Sequence, residues 1–146
     1  MKTMRVKNIK GLASIELLIV LPVLLLILAA IAEFGNAFIR YNILSKAVQN
    51  GARMAVTEVY GTAKAENIAS DEQIKQAVMY GSPQNVVDDT TQPILEAMTV
   101  TVTYSTGDDY VVVTGTYPYQ PLVGPWLNDL LSDVTLTASA VMRVAQ

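Results

Sequence analysis

The sequence contains no cysteine and no histidine, and these two absences exclude most kinds of catalytic and metal-binding site. Without cysteine, no disulfide can support a domain outside the membrane. Without histidine, there is no Ser-His-Asp triad, no imidazole acid–base catalysis and no histidine-ligated zinc site. The residues also show no combination of nucleophile, base and oxyanion donors. The sequence therefore predicts a protein that is not an enzyme and has no metal or other cofactor.

Basic side chains are scarce outside the first residues of the chain. Four of the ten Lys and Arg residues lie in residues 1–11, so the remaining 135 residues carry six basic and 13 acidic side chains, a net charge of −7. An acidic surface without basic runs argues against nucleic acid as a partner.

One apolar run, from Leu12 to Ala32, dominates the N-terminal part of the chain. Only three residues interrupt it: Ser14, Glu16 and Pro22. As a helix the run would be about 31 Å long, which matches a hydrocarbon core of about 30 Å. It therefore predicts a single transmembrane helix in contact with membrane lipid. Residues 1–11 contain basic side chains and no acid, so the positive-inside rule predicts a cytoplasmic N-terminus and places residues 33–146 outside.

Gly11 and Glu16 stand at the start of this run. A carboxylate in an apolar helix is costly, and one explanation is an acid that snorkels at the helix end. A short basic leader, Gly11, and then Glu16 as the fifth residue of the helix also resemble the processing site of type IV pilins. That resemblance implies that a prepilin peptidase cuts after Gly11 and methylates the new N-terminus at Leu12. The amine and the Glu16 carboxylate would offset each other's burial within or between helices, and the family implies that this pairing sets the assembly register.

The residues after this start of the helix indicate a more specific family. The segments Ile15–Pro22, Ala32–Gly35 and Ala47–Arg53 closely resemble TadE-like minor pilins (pseudopilins) of tight-adherence pilus systems. Beyond Arg53 only the layout is similar, a small outer head that ends in a Thr-rich strand. The partners that this resemblance implies are the prepilin peptidase, other minor pilins, the major pilin and inner-membrane platform proteins.

A secretory signal is a competing interpretation of the same residues. A basic start, an apolar stretch and Ala30-Ile31-Ala32 also satisfy the pattern of signal-peptidase cleavage, which would release a soluble domain beginning near Glu33. The apolar stretch is longer than usual for such signals, and helical amphipathicity continues across the supposed cut. Both observations favour a retained helix.

The periodicity from Glu33 to Tyr60 is that of an amphipathic helix, so one helix is predicted from Leu12 to about Tyr60. Its apolar residues recur at spacings of three and four: Phe34, Ala37/Phe38, Tyr41, Leu44, Val48, Gly51/Ala52, Ala55 and Val59. This stripe is either packed within the molecule or shared with neighbouring pilins. Proline deletes a backbone hydrogen bond and glycine has low helix propensity, which predicts three bend or melting points. These are Pro22, Gly35 and Gly51.

Residues 61–146 predict a small outer head. Ser70–Gln73 forms a capping box that starts a short helix, which Gly81 ends. Alternation of apolar residues with threonines predicts a hairpin from Met98 to Tyr117 and a final strand from Val134 to Val144. Three strands with one apolar face need a cover, which the outer half of the long helix supplies. The predicted fold is α+β and pilin-like: a long N-terminal helix packed on a small antiparallel sheet.

Two other segments of the head have weaker patterns. Asp88 and Asp89 are predicted to lie in a solvated turn, because no spaced set of oxygen ligands accompanies them as a calcium loop requires. Pro125–Leu131 predicts a short helical turn, in which Trp126 covers apolar surface as part of the core.

The predicted organisation is a basic leader (1–11), a transmembrane half-helix (12–32), an amphipathic half-helix (33–60) and a head (61–146). The resemblance implies a minor pilin in the assembly or priming of a tight-adherence pilus. It would lie in the bacterial inner membrane with its head in the periplasm and, once assembled, in the extracellular pilus. The alternative is a single-pass membrane-anchored periplasmic binding protein that does not polymerise. That alternative explains the hydrophobicity but not the combination of Gly11 with Glu16.

Overall fold

The computed structural model describes residues 10–61, 69–81, 92–105, 110–122 and 134–143. Its elements are α1 (Lys10–Gly61), α2 (Asp71–Tyr80), β1 (Thr99–Tyr104), β2 (Tyr110–Pro118) and β3 (Thr135–Arg143). A long apolar N-terminal helix and a three-stranded antiparallel sheet confirm the predicted α+β class. The predicted turn at Asp88 and Asp89 and the predicted helical turn at Pro125–Leu131, with Trp126, lie outside the described residues.

Helix α1 is 52 residues long and contains the whole apolar run. It is dominated by leucine, isoleucine and alanine, of which leucine and alanine are strong helix formers. The helix is continuous through Pro22, Gly35 and Gly51, whose role as bend points stays a prediction.

Helix α2 begins and ends as the sequence predicts. The Ser70 hydroxyl accepts a hydrogen bond from the Gln73 backbone N–H at 3.4 Å, and the Gln73 side-chain oxygen accepts one from the Ser70 N–H at 3.0 Å. This reciprocal capping box satisfies two backbone donors that a helix start would otherwise leave unpaired. At the other end, the Gly81 N–H donates to the carbonyl oxygen of Ala77.

The sheet has the order β1-β2-β3, and both neighbouring pairs are antiparallel. Its register aligns Val100 with Gly115 and Gly115 with Ala138. One face is apolar and buried, while the other carries most of the threonines. The buried face consists of Val100, Val111, Val113, Tyr117 and Ala138.

The outer half of α1 covers this buried face, as predicted, and α2 packs beside it. Close approach depends on two glycines. A Cβ atom at Gly115 would lie 2.7 Å from Cγ2 of Val48 and 2.9 Å from Cδ1 of Leu44, so α1 lies directly on the central strand. A Cβ atom at Gly51 would overlap Cγ2 of Val78, so α1 and α2 meet there.

The predicted apolar stripe on α1 divides into two parts. Leu44 and Val48 are fully buried under the head, but Phe34 and Phe38 are 78% and 68% exposed. The head therefore covers only the second half of the stripe. Phe38 precedes Leu44 by six residues, which places it about 120° away around the axis, and Phe34 lies about 15 Å before Leu44 along the axis, short of the covered part.

Candidate processing site and the neck of the long helix

The predicted cleavage point lies in the first turn of α1. The helix begins at Lys10, so Gly11 and Leu12 are its second and third residues. Gly11 is exposed, and no heavy atom lies within 4 Å of a Cβ built at this position. The first backbone N–H groups of a helix have no partner within it, so this turn unwinds at less cost than an interior turn. Unwinding of this turn would expose the backbone between Gly11 and Leu12.

Glu16 lies one helical turn beyond Leu12. Residues four apart share one face of a helix at about 5–6 Å between their Cβ atoms, so an amine at Leu12 would lie within reach of this carboxylate. The Glu16 side chain is exposed, which also leaves it accessible to the amine of another chain. In α1, Glu16 follows Leu12 by four residues, about one helical turn, and Gly11 directly precedes Leu12.

The apolar half of α1 is exposed along its length. An 18-residue window within Ala13–Val56 has a mean hydropathy of 3.0, and none of that window is buried. A water-soluble protein rarely exposes so long an apolar surface. A single N-terminal apolar helix of this kind fits a membrane anchor.

A set of hydrogen bonds joins α1 to the head just beyond the apolar run. We call these residues the neck cluster: Glu33, Asn36, Arg40, Tyr117, Tyr119 and Leu122. The Arg40 guanidinium donates from Nη1 to the Tyr117 hydroxyl at 2.9 Å and from Nε to the Asn36 side-chain oxygen at 3.3 Å. Its Cζ atom also lies 5.6 Å from the centre of the Tyr117 ring, a cation–π distance.

The lower part of the neck cluster surrounds Glu33, which is buried at 7% exposure. Its side-chain Oε1 accepts a hydrogen bond from the Leu122 backbone N–H at 2.7 Å. The Tyr119 hydroxyl donates to the Glu33 carbonyl oxygen at 3.1 Å and accepts from the Asn36 amide at 3.2 Å. The neck cluster therefore fixes the end of β2 and the residues after it against α1.

The environment of the neck cluster changes the pKa of Tyr119. Burial raises the pKa of its hydroxyl above 10.0, and the nearby charge of Glu33 adds to the rise, whereas the hydrogen bond from Asn36 lowers it. The neck cluster therefore stabilises the neutral form of the Tyr119 hydroxyl.

Sequence reasoning missed the neck cluster, although a signal for it exists. Glu33, Asn36 and Arg40 follow one another at spacings of three and four, which places three polar side chains on one helix face. Tyr117 and Tyr119 are two residues apart and share one face of an extended strand. Polar groups on a helix face that also buries Leu44 indicate a polar contact with the head.

Residues 11–53 match the sequence model of the family described as TadE-like protein. This segment is therefore similar to TadE-like proteins. The predicted resemblance is confirmed over α1, from the glycine at its start to the part that covers the head. No curated protein and no solved structure matches the chain.

The TadE-like match associates the chain with the Tad pilus and with pilus components as partners in general. TadE-like pilins are a structural and non-enzymatic kind of protein. Among the described residues, no group of three or more acidic side chains is arranged to hold a metal ion.

Proposed function

We propose that this chain is a minor pilin or pseudopilin that takes part in assembling or priming a tight-adherence (type IVc-like) pilus. The observation that carries the proposal is the TadE-like match, which begins at Gly11 and includes Glu16. In this proposal a prepilin peptidase cuts between Gly11 and Leu12, in the first turn of α1. The exposed glycine and the easily unwound turn support cleavage at this bond.

The mechanism is helix packing. Residues 12–32 are apolar around the whole circumference of α1, so they contact lipid while the chain is held in the membrane. The same surface packs against the helices of other pilins when an ATP-driven platform extracts the chain. Glu16 then pairs with the N-terminal amine of a subunit, because a buried charge is tolerated only when it is paired. This pairing sets the register of the assembly.

The basic residues before Leu12 support a cytoplasmic N-terminus, with the head on the periplasmic side of the bacterial inner membrane. The specific partners in the proposal are the prepilin peptidase, the major pilin and other minor pilins, and the inner-membrane platform proteins. The head is supported by its own core between α1, α2 and the sheet, so it can accompany the helix into a pilus as a folded unit.

Incorporation into sheared pili tests this proposal. Wild type, Glu16→Ala and a matched control at an exposed acid of the head, Glu96→Ala, are expressed in cells that lack the native chain. We expect Glu16→Ala to be present and cleaved in membranes at the wild-type level but at least about tenfold depleted from pili, the loss that corresponds to ~1.4 kcal/mol of pairing energy. Glu96→Ala should be incorporated normally, because it removes an acidic side chain outside the packing surface of α1.

Two results would argue against the proposal. Normal incorporation of Glu16→Ala would remove the register role of Glu16. Absence of the wild-type chain from pili, together with normal pilus output without it, would favour the membrane-anchored binding protein that does not polymerise.

A further inference from the structure

The hydrogen bonds of the neck cluster show how the head is oriented along α1. Tyr117 contacts Arg40, Tyr119 contacts Asn36 and Glu33, and the Leu122 N–H contacts Glu33. Strand β2 therefore runs in the direction opposite to α1. The end of β2 and the residues after it approach the membrane end of the helix.

Leu122 is thereby held at the level of Glu33, which follows the apolar run directly. Val134 lies at the same end of the head, because its carbonyl oxygen accepts a hydrogen bond from the Tyr119 N–H at 2.9 Å. Leu122 is 67% exposed and Val134 is 39% exposed. The described part of this end of the head therefore exposes two apolar side chains, Leu122 and Val134, beside the exposed polar side chains of Gln120 and Thr135.

The adjacent surface of α1 is apolar as well. Phe34, Phe38 and Tyr41 line an open groove of about 530 Å³ with Leu136 of β3. Beyond Tyr41, the exposed side of α1 becomes polar at Asn42, Lys46, Gln49 and Asn50. The apolar surface therefore extends about two helical turns past Ala32 on this side and stops there.

Phe34 and Phe38 lie about 3 Å and 9 Å beyond Ala32 along the helix axis. The polar layer of a bilayer extends about 5–8 Å beyond the hydrocarbon core on each side. Side chains on a helix tilt toward its N-terminus, so both rings reach back toward the core. Their depth matches the layer in which aromatic side chains anchor membrane proteins.

We infer that the head rests on the outer surface of the membrane through an apolar base composed of Phe34, Phe38, Leu122 and Val134. The occupant is lipid, because the base is continuous with the apolar run and ends where the exposed side of α1 becomes polar. This inference depends on the membrane anchorage in the proposed function but not on pilus assembly.

Fluorescence quenching in the full-length chain tests this inference. The native tryptophan is first removed by Trp126→Phe, and single tryptophans are introduced by Phe38→Trp, Leu122→Trp and Lys46→Trp. All three positions are on the surface, so the substitutions are compatible with folding. Each variant is reconstituted at one copy per nanodisc of phosphatidylethanolamine and phosphatidylglycerol, with or without lipids brominated in the upper acyl chain. Ile27→Trp reports on the membrane span itself.

We expect brominated lipid to quench Phe38→Trp and Leu122→Trp severalfold more than Lys46→Trp, and acrylamide in water to show the reverse order. If Leu122→Trp is quenched no more than Lys46→Trp, the head stands clear of the bilayer and the inference is wrong. Equal quenching of Phe38→Trp and Lys46→Trp would also contradict it and leave the groove as a surface for a protein partner. If brominated lipid does not quench Ile27→Trp, the chain is not anchored in the membrane and the inference is wrong as well. Pilus assembly is tested separately, by incorporation of the chain into sheared pili.

Discussion

Replacing Gly51 by alanine is expected to destabilise the head, although alanine is normally the better helix former. Gly51 is buried where α1 meets α2. A Cβ atom there would overlap Cγ2 of Val78 and lie 3.4 Å from the Ile74 carbonyl oxygen. Overpacking of this kind typically costs about 1–3 kcal/mol, against a gain of about 1 kcal/mol in helix propensity. We expect a net loss of about 1 kcal/mol, which lowers the Tm of a domain of this size by about 4–8 °C.

A second substitution, Val78→Ala, tests whether the effect of Gly51→Ala comes from its contact with Val78. Val78→Ala removes Cγ2 and leaves a small cavity, so it is destabilising by itself. In that background, Gly51→Ala should fit and gain helix propensity, so its effect should change sign to a stabilisation of up to about 1 kcal/mol. The two substitutions are then coupled by about 2 kcal/mol, which is within the range known for residues in contact.

The assay is thermal unfolding of the full-length chain in detergent micelles, followed by circular dichroism of the sheet. Gly35→Ala is the matched control, because no heavy atom lies within 4 Å of a Cβ at that position. It should leave the Tm unchanged or raise it slightly. Equal destabilisation by Gly51→Ala with and without Val78→Ala would refute the close packing of α1 on α2.

Three further predictions concern the neck cluster and the cap of α2. Glu33→Ala removes the charged acceptor of the part-buried hydrogen bond from the Leu122 N–H and should cost about 1.5–3 kcal/mol in the same assay, while Glu33→Gln, which keeps an acceptor, should cost less. The raised pKa of Tyr119 means that its neutral hydroxyl stabilises the folded state below pH 10, and this stabilisation is lost as the pH rises further. The free energy of unfolding should therefore fall more steeply above pH 10 in wild type than in Tyr119→Phe. Equal slopes would contradict this assignment. Ser70→Ala should cost about 1 kcal/mol by removing the capping oxygen, and an unchanged Tm would show that the Gln73 side chain alone suffices.

Much of the fold could be predicted because its signals are local. The capping box at Ser70 and the glycine at Gly81 lie within a few residues of the helix they delimit. The alternation of valine and threonine along β1 and β2 reflects one buried and one exposed face. The predicted bounds of the long helix differ from the observed bounds by two residues at the start and one at the end. The long apolar run and the helical periodicity that follows it favour a helix over this whole length.

The neck cluster could not be predicted in the same way, since its contacts are between residues 77 to 89 positions apart. Periodicity alone also could not decide which part of the apolar stripe the head covers. Phe34 and Phe38 are spaced as core residues would be, but they precede the part of α1 that lies under the head. Gly51 was predicted as a weak point of the helix, whereas the structure gives it a packing role against Val78. A sequence pattern cannot show which helix will approach such a glycine.

The prediction of a processing site rests on a short motif at one helix end, and it stays a prediction. Gly11, Leu12 and Glu16 lie within six residues, and the structure places them in the first two turns of α1. Their proposed roles in cleavage and assembly depend on contacts with partner proteins. Neither sequence periodicity nor packing within the chain determines those contacts.

The mass and N-terminal sequence of the mature protein isolated from membranes show most directly whether the chain is a processed pilin. We predict a chain that begins at Leu12 with a methylated amine. A chain that begins near Glu33 would instead be a released soluble domain, and an intact Met1 would leave a plain membrane anchor. Either of these two results would contradict the proposal.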